Sequence, residues 1–135
     1  MSPHLSSLAA LLQSLEPSRH DGVYAYAVLP FDTDPASLQP VVTVREAEGV
    51  TVIVPIEQAE RHGLRVLFRA AWITLTVHSD LQAVGLTAAF SGALAMAGVS
   101  CNVVAGAHHD HLFVPEEQAQ QALDVLRALQ RTAPD

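Results

Sequence analysis

Lysine is absent from this 135-residue chain, and its seven arginines are the entire basic complement. Without a lysine there is no Schiff-base chemistry, no pyridoxal attachment point and no phosphate-loop lysine. The formal charge is -7 and the arginines are scattered, so no segment offers a basic surface to a phosphate backbone. Nucleic acid is therefore not an expected partner. A single cysteine, Cys101, excludes an internal disulfide, and the first twenty residues lack both a basic start and an apolar signal core. Those features predict a cytoplasmic protein. No apolar run approaches the roughly 20 residues needed to span a bilayer, so no membrane association is expected. GxSxG, a phosphate loop and any local nucleophile-base-acid spacing are missing too, which predicts a non-enzyme without a cofactor.

Half of the residues are apolar, enough for a real core in one compact domain or two small fused ones. Leucines 5, 8, 11, 12 and 15 fall at helical spacing, and Pro17 with Asp21-Gly22 ends that first predicted helix. Residues 23–29 alternate as a strand, 30–40 are a loop rich in Asp and Pro, and 41–45 with 50–54 form a hairpin around Glu48-Gly49. Pro55 opens a short helix closed by Gly63, followed by predicted strands at 64–68 and 72–78. An alanine-rich helix begins at Ser79 and stops at Gly98, with Leu86, Phe90, Ala93 and Ala97 on one face. Strands at 100–104 and 110–114 flank a turn with Gly106 and three histidines, and a last helix starts at Pro115 with acidic residues first and arginines late.

The chain repeats itself. Val54-Pro55-Ile56-Glu57-Gln58-Ala59 recurs as Val114-Pro115-Glu116-Glu117-Gln118-Ala119, 60 residues on, and the two hairpins superpose at the same offset. The first strands align at an offset of only 49, so the first half is 11 residues shorter, about three turns of helix. The second half thus reads strand-helix-strand-strand-helix, and the first replaces its helix with the 32–40 loop. This order predicts an α+β, ferredoxin-like fold with antiparallel sheets and helices on one face. The expected division is an N-terminal subdomain, 1–70, preceded by an extra helix, and a C-terminal subdomain, 71–135. Nothing strand-like follows the last helix, so the partner half or a second subunit, in a homodimer, is expected to cover that edge.

The stretch from Trp72 through His78, Asp80, Val84, Gly85 and Leu86, followed by Leu94 to Asn102, resembles the first strand, glycine turn and helix of an ACT domain. The chain is most similar to a bacterial group of uncharacterised tandem ACT-like proteins, in which the run His109-Asp110-His111 to Pro115 looks characteristic. The resemblance is strongest from Trp72 to Pro115 and weaker in the first half. It implies a regulatory module that binds a small amino acid or related metabolite near Asp80 to Leu86, as in aspartate kinase and cytosolic arginine sensors. Two departures stand out: Val84 replaces the usual proline before the turn glycine, and the first copy lacks its own version of the loop. At most one site per chain is expected.

Physical chemistry offers its own reasons for that turn. Amides at a helix N-terminus attract a carboxylate, and Gly85 permits close approach of a ligand to backbone. Ser79 and Gln82 equally suit a capping box with Gly85 as a packing glycine. Asp80 suits a ligand ammonium or an N-cap, and Asn102 could hold either end of an amino acid. The candidate ligand-binding set is Ser79, Asp80, Val84, Gly85, Leu86, Cys101 and Asn102, with Cys101 assigned no chemistry of its own. A rival reading takes His108, His109, Asp110 and His111, with His78 nearby, as metal-ligand types in one turn, but alternation puts His108 and Asp110 on the opposite face from His109 and His111. A third reading is a structural interaction partner with no ligand. Ile73, Leu75 and Val77 are expected in the core, and Trp72, Thr74, Thr76 and His78 on the other face.

Overall fold

The computed structural model describes residues 8–77 and 84–132. Helix α1 spans Leu8–Ser14, followed by strands β1 (Glu16–Arg19), β2 (Tyr24–Leu29), β3 (Val42–Arg45) and β4 (Val50–Pro55), then helix α2 (Ile56–Arg61). Strand β5 covers Phe68–Thr76, helix α3 Leu86–Met96, strands β6 and β7 Asn102–Ala105 and His109–Pro115, and helix α4 Ala119–Thr132. These elements fall into two units. One comprises Asp21–Ala71; the other joins the described residues up to His20 with those from Trp72 onward. The sequence suggests that the N-terminal segment goes with the first half, whereas it clusters with the second.

In the Asp21–Ala71 unit the strand order is β3-β4-β2-β5, using the first residues of β5. The β3-β4 pair is the expected hairpin, with Val42 opposite Ile53 and Arg45 opposite Val50. Ala25, Ala27 and Leu29 from β2 and Val52 and Val54 from β4 point to one side, where Ile56 and Ala59 of α2 meet them. A four-residue 3-10 turn, Pro35–Leu38, stands where the missing helix would be; the Asp34 side chain accepts from the Ala36 amide to start it. Its Leu38 is 1 % exposed and fills the same core. One buried leucine thus replaces a helical face.

The second unit orders its strands β1-β5-β7-β6. Glu16–Arg19 pairs antiparallel with Ile73–Thr76, Glu16 opposite Thr76 and Arg19 opposite Ile73. The strand that covers the edge therefore comes from ahead of the first repeat, and not from the other half or a second subunit as the sequence suggests. Relative to strand-helix-strand-strand-helix-strand, this unit is circularly permuted: its fourth strand precedes its first. Pro17 is tolerated there because β1 pairs on one side only. Ile73, Leu75 and Val77 are buried, as expected, together with Leu112 and Val114 of β7. Leu11, Leu12, Leu86, Phe90, Leu94, Leu123 and Leu126 supply the helical side of that core. Helix α1 packs on α3 and α4.

Two further boundaries differ from expectation. The strands anticipated at 64–68 and 72–78 are one strand, Phe68–Thr76, because no breaker separates them and Arg69 and Ala70 find backbone partners in Ala25 and Tyr24. Residues 64–66 are not strand; Leu64 and Val66 pack on the first core instead. In α3 the third buried position is Leu94, while Ala93 is half-buried. The repeat itself is kept in backbone detail, for Pro55 has φ -53° and ψ 139°, and Pro115 has φ -53° and ψ 137°.

Candidate functional site

The ligand-binding candidates lie in the unit that contains α3 and β6. Ser79 and Asp80, with His78 and Gln82, fall outside the described residues. Val84 is 89 % exposed, and Gly85 caps α3 in a left-handed conformation at φ +95°. An L-residue is strained there whatever the space available. Space is not the constraint, since an added Cβ would meet only the Leu8 methyls, at 3.5 and 3.8 Å. The Gly85 carbonyl accepts from the Ala89 amide at 2.9 Å, so it starts the helical ladder. Leu86 is 3 % exposed and its side chain belongs to the core, which leaves its backbone for any contact with a ligand.

Asn102 opens the edge strand β6 and is exposed. Its Nδ2 donates to the Phe113 carbonyl at 3.4 Å, which uses one of its two N–H groups within its own hairpin. Cys101 is half-buried and unpaired, and burial pushes its thiol up to about 11. At neutral pH it is a protonated, weakly nucleophilic group. This agrees with assigning it no chemistry.

The sheet face opposite Ile73, Leu75, Leu112 and Val114 carries a constellation that sequence reasoning does not assemble. Trp72 and Thr74 of β5 and His111 and Phe113 of β7 meet there, joined by His20 just after β1. The His20 and Trp72 rings stack at 3.4 Å between centroids and 7° between planes. Trp72 Nε1 donates to His111 Nδ1 at 3.1 Å. Thr74 Oγ1 lies 3.1 Å from that same nitrogen and 2.7 Å from His20 Nε2. Phe113 stacks on Trp72 at 6.2 Å, and His109 meets His111 edge-on at 6.3 Å. His20 gives no signal in the sequence because it reaches the others only through the β1-β5 pairing.

This network determines a tautomer. Indole N–H can only donate, so Nδ1 of His111 presents a lone pair and the ring proton sits on Nε2. Burial holds the His111 pKa below the ordinary imidazole value, with His109 adding to the effect and Asp110 opposing it. Asp110 is held above the ordinary carboxylate value by burial, against the pull of His111. His109 Nδ1 is buried without a hydrogen-bond partner. The tautomer bears on the metal reading: His111 would have to coordinate through Nε2 while Nδ1 still accepts from Trp72, which requires an imidazolate. Among the described residues, no three His, Cys, Asp or Glu side chains converge on a metal-sized site.

Comparison with known proteins accords with this architecture. Two family models described as ACT domain match in tandem, over residues 4–71 and 68–128. A solved structure from Vibrio cholerae, of a protein of unknown function described as a possible transport protein, is 46 % identical with a TM-score of 0.84, covering 92 % of this chain and 96 % of that one. The regulatory subunit of aspartate kinase from Thermus thermophilus is 12 % identical with a TM-score of 0.59, over 85 % of this chain and 95 % of that one. Escherichia coli aspartokinase III, solved with aspartate and ADP, is 15 % identical with a TM-score of 0.61, over 89 % of this chain and 34 % of that one. No curated protein matches. With both halves matched, the chain belongs to the ACT domain family, whose members are ligand-binding regulatory modules.

Proposed function

We propose that this protein is a non-catalytic sensor of a small amino acid or a closely related metabolite, with one ligand site per chain at the N-terminal end of α3. The observation that carries the reading is Gly85. It holds φ +95° at the start of an 11-residue helix, a conformation that brings bare backbone to the surface where the helix dipole favours an anion. An α-carboxylate suits that position. Ser79 and Asp80, which precede Gly85 in sequence, complete the proposed set with Val84, Leu86, Cys101 and Asn102, Asp80 as partner for the ammonium.

Tandem ACT architecture supports the same reading, as does the E. coli aspartokinase III structure, a complex with aspartate and ADP. A homodimer forms part of the proposal. Light scattering at micromolar concentration checks it, and a monomer there removes that element.

A thermal-shift screen of the twenty amino acids tests the ligand. A ligand specific to the native state must stabilise it, by about 2.7 kcal/mol at a hundredfold excess over Kd. At least one amino acid should raise Tm at millimolar concentration. If none does, the amino-acid reading fails.

A further inference from the structure

We propose that His20, Thr74, His111 and Trp72 form a proton-operated latch, in which uptake of one proton by His111 breaks the indole hydrogen bond between β5 and β7. Donor and acceptor capacity sets what each partner can do. Trp72 Nε1–H has no acceptor function, and it is 3.1 Å from His111 Nδ1. In the neutral state that nitrogen accepts, and the Thr74 hydroxyl, also at 3.1 Å, can donate to it while accepting from His20 Nε2–H at 2.7 Å. The one Nδ1 lone pair is then shared between the indole and hydroxyl donors, and a proton on Nδ1 removes it from both.

Protonation of His111 puts a hydrogen on Nδ1. Two N–H groups now face each other across 3.1 Å, and the indole bond is lost. Thr74 can no longer donate to Nδ1; it can only accept from it. His20 is different: in the tautomer with its proton on Nε2 it can donate to Thr74 whether the ring is neutral or charged. The latch therefore titrates at His111.

The charged and titratable neighbours agree with this assignment. His109 shares the strand face with His111, their rings 6.3 Å apart, and its charge disfavours a proton on His111. His108 lies beside His109 at 6.3 Å. Asp110 is adjacent in β7 and alternates to the opposite face. On β1, Glu16 lies opposite Thr76 and Arg19 opposite Ile73. Paired strand β6 contributes no ionisable side chain over Asn102–Ala105. Burial, and after it His109, holds the His111 pKa below the ordinary imidazole value, and Asp110 opposes them. None of these steps uses the amino-acid reading, so the two stand or fall separately.

Trp72 is the only tryptophan, so indole-selective fluorescence reads the latch directly. Acidification from pH 8 to 5 should give one sigmoidal emission change, with a midpoint below the free imidazole value of about 6.5. His111→Gln keeps an acceptor but cannot titrate, and should abolish the transition; His20→Gln should retain it. A flat wild-type profile overturns the proposal, as does a transition that survives in H111Q or disappears in H20Q. Histidine ring-nitrogen NMR of the wild type at pH 7.5 keeps the test available if a variant fails to fold. It should show His111 protonated on Nε2, and a proton on Nδ1 overturns the latch.

Discussion

Leu38 shows how much one side chain can carry. It comes from a four-residue turn, yet it is 1 % exposed and joins the core built by β2, β4 and α2. Leu38→Ala should cost about 2–5 kcal/mol, the range for leucine truncation in a closed core. Urea unfolding measures it. His111 makes a prediction in pH. Its folded pKa is depressed, so the unfolded chain binds the proton more readily; the contribution to stability is complete above about pH 6.5 and is lost as pH falls through the folded value. Asp110, with a raised pKa, works in the opposite sense: its contribution is complete below the ordinary carboxylate value of 3.8 and is lost as pH rises through the folded one. Between pH 7.5 and 5.5 the wild-type urea midpoint should therefore fall further than that of H111Q. Cys101, pushed up to about 11, should react slowly with a thiol reagent at pH 8 in native protein and rapidly in urea.

At the level of elements, β1 closes the sheet edge of the second unit. Removing residues 1–20 takes away this strand together with Leu11, Leu12 and Leu15, and exposes the ladder of Ile73–Thr76. The truncated chain should self-associate in size-exclusion chromatography, since an unpaired edge invites pairing. Elements with local signals are legible in sequence: the β3-β4 hairpin, the helices ending before Gly63 and Gly98, and the repeat at Pro55 and Pro115. Strand β1 is not. Glu16-Pro17-Ser18-Arg19 has no alternation and contains a proline, and its strand character comes from a partner nearly 60 residues away. A still longer separation, 88 to 91 residues, hides His20 from the histidine turn. Of the candidate site, the glycine turn at Gly85 is legible as a motif, while its place as the left-handed start of α3 and the burial of Leu86 emerge only from the structure.

For the whole molecule, two units with ferredoxin-like strand order share little beyond their plan. One substitutes a turn and a leucine for a helix; the other retains the helix with its glycine start and borrows a strand from the N-terminal segment. This asymmetry is why a single ligand site per chain is proposed. The most direct test is a titration of isotopically labelled protein with each of the twenty amino acids, followed by amide chemical shifts. The account predicts saturable shifts from at least one amino acid, centred on the amides of Gly85, Leu86 and Asn102. Shifts centred elsewhere, or none at millimolar concentration from any of the twenty, would contradict it.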